Sequence, residues 1–113
     1  MMKIQHQQLA SGTWAAMPFC LQMANIGSEI SRTIKWQEKG NQEYARKAFF
    51  RALELLDLTI AGSRSFSARQ ELLRTREALA DHFMYNNIFN STTSQWQKYF
   101  DQFAFLVAKR AAR

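Results

Sequence analysis

The residue whose position raises a question of chemistry is Arg76, because it falls among the apolar residues of a predicted helix. On a helical wheel of about 100° per residue it lies within about 40° of Leu72 and about 20° of Phe83. A guanidinium withdrawn from water needs an acidic partner, since desolvating an unpaired charge costs several kcal/mol. We expect this partner to be Asp57, at the edge of an earlier helix's apolar face, with Glu29 as the alternative. The pair is predicted to be a structural ion pair, and a functional anion or substrate site is the other interpretation.

A second interpretation of Arg76 involves His82, six positions later in the chain. An arginine, five other residues and a histidine resemble the signature of HEPN domains, which are small helical bundles that often dimerise. This resemblance implies an RNA-cleaving or nucleotide-handling protein with Arg76 and His82 as its catalytic residues. The six-residue step turns the two side chains about 120° apart on one helix, so they converge only if the helix ends or a second subunit contributes. The alternative is that His82 is a surface histidine without a catalytic role.

The sequence offers little else for catalysis or metal binding. His6 and His82 are the only histidines, Cys20 is the only cysteine, and no Glu-x-x-His pair of the kind found in di-iron bundles occurs. There is no glycine-rich phosphate loop and no recognisable nucleophilic triad. We therefore expect no metal, no cofactor and no catalysis. The single cysteine excludes an internal disulfide and favours the cytoplasm.

The charge of the chain bears on its partners. Fifteen basic residues stand against nine acidic ones, so the net charge is +6. Such a surplus favours polyanions at low salt, which makes nucleic acid a possible partner, although it is also typical of an ordinary solvated surface. No stretch of eighteen apolar residues occurs, so we expect no membrane span.

The composition predicts the elements that carry these side chains. Valine occurs once, whereas alanine occurs fifteen times and leucine ten times. Residues that favour strands are therefore scarce and those that favour helices are abundant. We predict an all-α fold, an antiparallel bundle of four main helices, in one domain over residues 14–113. Residues 1–13 are predicted to be a flexible N-terminal tail.

Local signals place the first two helices. Pro18 suits the first turn of the first helix, and Gly40 is expected to end it. Asn41 can cap the second helix, which is predicted to run to about Gly62. Gly27 lies inside the apolar stripe of the first helix, and we interpret it as a place where a neighbouring backbone comes close.

The third and fourth helices have weaker boundary signals. Ser67 and Gln70 form a capping-box pattern for a third helix that extends to about Tyr85. Residues 86–94 are predicted to be the longest loop inside the domain. Ser94 or Thr92 can cap the last helix.

Some apolar residues fall on faces that a single bundle does not need to bury. Phe50, Leu58 and Phe105 lie off the main apolar faces of their helices, and we expect them to be interface residues. Ile88 and Phe89, in contrast, are expected to fold inward and hold the long loop down. Self-association into a dimer is the simplest explanation for the outward residues, with a different protein partner as the alternative.

Four segments of the chain resemble a widespread family of short helical proteins of microbial and mobile-element genomes. The resemblance covers about residues 22 to 108 and is carried by residues 26–30, 36–41, 51–60 and 96–100. It implies a compact helical protein and no particular activity. We therefore predict a helical interaction module that self-associates and has no catalysis of its own. An RNA-cleaving protein and a basic nucleic-acid-binding protein are the two alternatives.

Overall fold

A computed structural model describes residues 12–63 and 65–112 of the chain. These residues form four helices and no strand, which confirms the predicted all-α bundle. Residues 1–11, with His6 and most of the predicted tail, lie outside the described residues. The helices are α1 (Phe19–Glu38), α2 (Gln42–Ala61), α3 (Phe66–Met84) and α4 (Thr93–Ala111).

The predicted boundary signals lie at or beside the ends of α1 and at the start of α2. Pro18 immediately precedes α1, one position before the first helical turn. Gly40 has a positive φ of 78°, a conformation that glycine adopts without steric cost, and its N–H donates to the carbonyl of Gln37. Asn41 then caps α2 by accepting a hydrogen bond from the N–H of Tyr44. The chain therefore reverses direction within three residues.

The start of α3 differs from the prediction. Ser65, rather than Ser67, is the N-cap, and its hydroxyl accepts a hydrogen bond from the N–H of Ala68. Both serines offer the same hydroxyl, so local sequence does not distinguish them. The earlier start allows Arg69 to donate to the carbonyl of Ser63 at 3.1 Å, which ties α3 to the end of α2.

The start of α4 is capped at one of the two predicted positions. The hydroxyl of Thr92 accepts from the N–H of Gln95, and the side chain of Gln95 accepts from the N–H of Thr92. These reciprocal bonds form a capping box, which satisfies two backbone donors at once.

The contacts between successive helices show that they run antiparallel. Between α1 and α2, Glu29 meets Arg51 and Trp36 meets Tyr44, so the order of contacts along one helix reverses along the other. The same reversal holds between α2 and α3, where the pairs are Asp57 with Arg76 and Phe49 with Phe83. Helix α1 is the centre of the bundle because it packs along both α2 and α4, whereas α3 is held more lightly.

The core is apolar, as the helical spacing predicts. Its largest fully buried side chains include Met23, Ile26, Ile30, Phe49 and Leu56. Trp14 closes one end of the core ahead of α1: its indole N–H donates to the hydroxyl of Thr59 at 3.0 Å, and its carbonyl accepts from Gln22. No helix in the described part of the chain is long and apolar enough to cross a membrane.

Candidate functional site

Arg76 contacts Asp57, the first of the two partners predicted for it. The two N···O distances are 2.6 and 3.4 Å, so the guanidinium binds both carboxylate oxygens. The expectation that Arg76 is withdrawn from water is wrong, because its side chain is 37% exposed and that of Asp57 is 53% exposed. The buried face of α3 centres on Leu72 and Leu79, which leaves Arg76 at the rim.

Glu29, the alternative partner for Arg76, has other partners. Its side chain is only 9% exposed and accepts from Arg32 at 2.7 Å and from Arg51 at 3.2 Å. A carboxylate this deeply buried needs such donors, because burial without them is costly. Both arginines extend from this anchor to the surface of α1 and α2. Sequence reasoning did not predict the Glu29–Arg51 pair, which joins α1 to α2.

His82 lies in a hydrogen-bonded group at the junction of α3 and α4. Its Nδ1 is 3.2 Å from the hydroxyl oxygen of Ser91, and the indole N–H of Trp96 donates to that oxygen at 3.0 Å. The histidine ring packs edge-on against Phe83. In the described part of the chain, His82 contacts Ser91 and Arg76 contacts Asp57 on α2. The structure therefore does not bring Arg76 and His82, the two catalytic candidates, together.

Asp81 is the residue of this region that sequence reasoning missed. It is buried, and its two carboxylate oxygens accept the backbone N–H groups of Ile88 and Phe89 at 2.9 and 3.0 Å. Its carbonyl accepts from the N–H of Asn87, which has a positive φ of 52°. A signal was present, since an aspartate near a helix end beside an Asn-rich stretch is typical of side-chain capping of a turn.

The anchored loop turns its apolar side chains outward. Ile88 is 77% exposed, and Tyr85 and Phe89 are also mainly exposed, so the expectation that Ile88 and Phe89 fold inward is wrong. The Asp81 carboxylate, rather than apolar burial, holds this loop. With Leu73 and Ala80 of α3, these side chains line an open cavity of about 590 Å³. We call it the α3–loop groove.

A different surface combines aromatic and basic side chains on α1 and α2. The rings of Trp36 and Tyr44 meet edge to face with centroids 4.8 Å apart. The ammonium of Lys39 lies 5.1 Å from the centre of the Trp36 ring, and that of Lys47 lies 5.5 Å from the centre of the Tyr44 ring. We call this surface the α1–α2 basic face; it consists of Arg32, Trp36, Lys39, Tyr44, Lys47 and Arg51.

The three predicted interface residues have different environments. Phe50 and Leu58 are half-buried and pack against the core, whereas Phe105 on α4 is 66% exposed.

No group of three potential metal ligands occurs in residues 12–63 and 65–112. Cys20 is buried, and its sulfur accepts from Arg110 at 3.3 Å.

Comparison with known proteins adds no relative for this chain. No protein-family model, no curated protein and no solved structure matches it. The candidate functions therefore rest on two surfaces, the α3–loop groove and the α1–α2 basic face.

Proposed function

We propose that this protein is a cytoplasmic, non-catalytic interaction module that self-associates through the α3–loop groove. The observation that supports this most strongly is the concentration of exposed apolar side chains around the groove. Leu73, Tyr85, Ile88 and Phe89 are all exposed, although each has a large apolar surface. Contiguous apolar patches on a soluble domain are typical of binding surfaces.

The groove is preorganised for binding. Asp81 fixes the backbone of Ile88 and Phe89 through two charge-assisted hydrogen bonds. Asn87 adds a second anchor, because its side chain both accepts from the N–H of Ser91 and donates to the carbonyl of Ser91. A surface that is already ordered loses little conformational entropy on association.

A second copy of the chain is the partner that fits this surface best. The groove carries both signs of charge, since Arg76 and Glu77 are neighbours in its lining. A two-fold symmetric copy brings the same patch against itself, and mixed charges allow this contact without like charges facing each other. Exposed tyrosine and phenylalanine are also the residues that commonly anchor protein interfaces.

Light scattering across a dilution series tests this proposal. We expect the mass to approach twice the 13.2 kDa of one chain at high concentration. Ile88→Asp and Leu73→Asp are expected to shift the protein to monomer, because each puts a charge into the apolar contact. Phe105→Asp tests the competing surface on α4, where the sequence predicts an interface residue; if the groove is the interface, this substitution leaves the dimer intact.

Two results would contradict the proposal. A wild-type protein that stays monomeric at the highest concentration rules out self-association through any surface. A dimer that dissociates with Phe105→Asp but not with Ile88→Asp assigns the interface to α4 instead.

A further inference from the structure

We infer that the α1–α2 basic face binds single-stranded nucleic acid, with bases stacked on Tyr44 and Trp36 and phosphates held by Lys39 and Lys47. This surface is built from α1 and α2, whereas the α3–loop groove is built from α3 and the following loop. The inference therefore does not depend on self-association.

The aromatic pair has the form of a stacking platform. Tyr44 is 46% exposed in the first turn of α2, and its ring contacts that of the half-buried Trp36 at an interplanar angle of 86°. Edge-to-face packing fixes the orientation of the Tyr44 ring without covering both of its faces. Bases stack on such rings largely independently of sequence, because every base has a π-face.

The two lysines lie next to the rings, where the phosphates that flank a stacked base are expected. Lys39 and Lys47 are exposed and lie over the rings of Trp36 and Tyr44. Cation–π contacts at exposed sites are weak, so a base can displace the ammonium group from the ring. The displaced ammonium then remains within reach of the neighbouring phosphate, because the lysine side chain is long and flexible.

The charge of the face extends along both helices. Arg32 and Arg51 both bind the carboxylate of Glu29, so two cations share one anion at this point of the face. Lys47 also lies 3.5 Å from Glu43, but both of these side chains are mainly exposed and the pair is weak. Cations therefore occur at both ends of the aromatic pair.

The dimensions favour a short single strand. Lys39 lies seven positions after Arg32, which corresponds to about 10 Å along a helix. One strand of B-DNA advances about 3.4 Å per nucleotide, so about three nucleotides at that spacing cover this length, and a more extended strand needs no more than that. In a duplex the bases are stacked on one another and are not free to stack on Tyr44, so single strands are expected to bind more tightly than duplex.

Fluorescence anisotropy with short labelled oligouridine and oligodeoxythymidine, using the full chain, tests this inference. With about three phosphates contacted, affinity is expected to fall roughly 20-fold between about 50 and about 200 mM salt. Tyr44→Ala is expected to weaken binding about fivefold or more, whereas Tyr44→Phe keeps it. Lys39→Gln and Lys47→Gln are each expected to weaken it and to reduce its salt dependence.

Matched controls separate this site from general charge attraction. Tyr85→Ala removes an exposed tyrosine from the loop, and Lys98→Gln removes a lysine from α4; neither is expected to change the affinity. Ile88→Asp, which tests self-association, is also expected to keep strand binding, so the two proposals fail separately. The relative affinity for the RNA and DNA strands identifies which one the face prefers.

Three outcomes would overturn the inference. The first is no binding of either strand at low salt. The second is equal binding by wild type and by Tyr44→Ala with its circular dichroism unchanged, since stacking then plays no part. The third is competition by heparin or poly-glutamate as strong as by the strand, which identifies a general polyanion or acidic protein surface.

Discussion

Gly27 of α1 and Phe100 of α4 approach so closely that no larger residue fits at position 27. A β-carbon built on Gly27 lies 2.7 Å from the β-carbon of Phe100, far inside van der Waals contact. The obstructing atom is attached directly to the α4 backbone, so rotating the Phe100 side chain does not relieve the clash. This contact sets the distance between the two helices.

Gly27→Ala is therefore expected to destabilise the fold, although alanine is the better helix former by about 1 kcal/mol. The clash forces α1 and α4 apart, and overpacking of this kind typically costs about 1–3 kcal/mol. Urea denaturation measures the free energy of unfolding. Gly62→Ala is the control, because a β-carbon there makes only ordinary contacts at 3.5 Å or more, and its effect is expected to be small. A Gly27→Ala protein as stable as wild type would show that α4 moves freely.

Asp81→Ala is expected to release the loop that follows α3. The substitution leaves the N–H groups of Ile88 and Phe89 without their acceptors, and such a loss costs about 1–3 kcal/mol. Amide hydrogen exchange is expected to accelerate at Ile88 and Phe89. Asp101→Ala, at an exposed position of α4, is the control. Unchanged protection at both amides would mean that the loop is held by something else.

The Arg76–Asp57 pair and the pairs that Glu29 forms with Arg32 and Arg51 are expected to differ in their contribution to stability. Arg76→Ala breaks an exposed pair, and such pairs contribute about 0–1 kcal/mol. Glu29→Ala removes the buried carboxylate that Arg32 and Arg51 share, and we expect a larger loss because Arg51 is itself partly buried. Thermal or chemical unfolding of the two variants decides the order. Equal losses of stability in the two variants would contradict the prediction that the more buried pair contributes more.

Alkaline pH is expected to destabilise the protein through Tyr99. Burial raises the pKa of Tyr99; the nearby Glu71 carboxylate also raises it, and a hydrogen bond with Thr75 opposes the shift. The unfolded phenol ionises first, at about pH 10, so stability is full below that pH and falls as pH rises toward the folded-state pKa. Tyr99→Phe is expected to make the alkaline loss of stability smaller, whereas Tyr85→Phe, at an exposed position, leaves it unchanged. Identical pH profiles for Tyr99→Phe and wild type would refute this cause.

The RNA-cleaving alternative has a direct test. Labelled RNA incubated with wild type, with Arg76→Ala and with His82→Ala is expected to stay intact in all three samples. The reason is that Arg76 binds Asp57 on α2 while His82 lies against Ser91, so the two are held in separate groups. Cleavage by wild type that both substitutions abolish would restore the catalytic interpretation, with a second subunit bringing the residues together.

Most of the features predicted correctly from sequence depend on neighbours in the chain. Asn41 and Thr92 cap their helices because a cap needs only a hydroxyl or amide oxygen beside the first turn. The N-cap of α3 was predicted at Ser67 but is Ser65, because the two serines offer the same hydroxyl group. The Arg76–Asp57 pair was also predicted, because wheel positions indicated that both face a neighbouring helix, but its exposure was not.

The candidate sites were largely beyond sequence reasoning. The platform of Trp36 and Tyr44 requires α1 and α2 to pack in a particular register, and no local sequence pattern determines that register. The groove depends on Asp81, whose carboxylate reaches amides seven and eight residues away in a loop.

By itself the sequence determined that this chain forms four helices with apolar faces, since side-chain spacing and capping act over only a few residues. The tertiary structure alone decided which charges are buried, which apolar side chains stay in water and which side chains lie together on one surface. Those properties depend on the distances between helices, and packing contacts such as that of Gly27 with Phe100 set these distances.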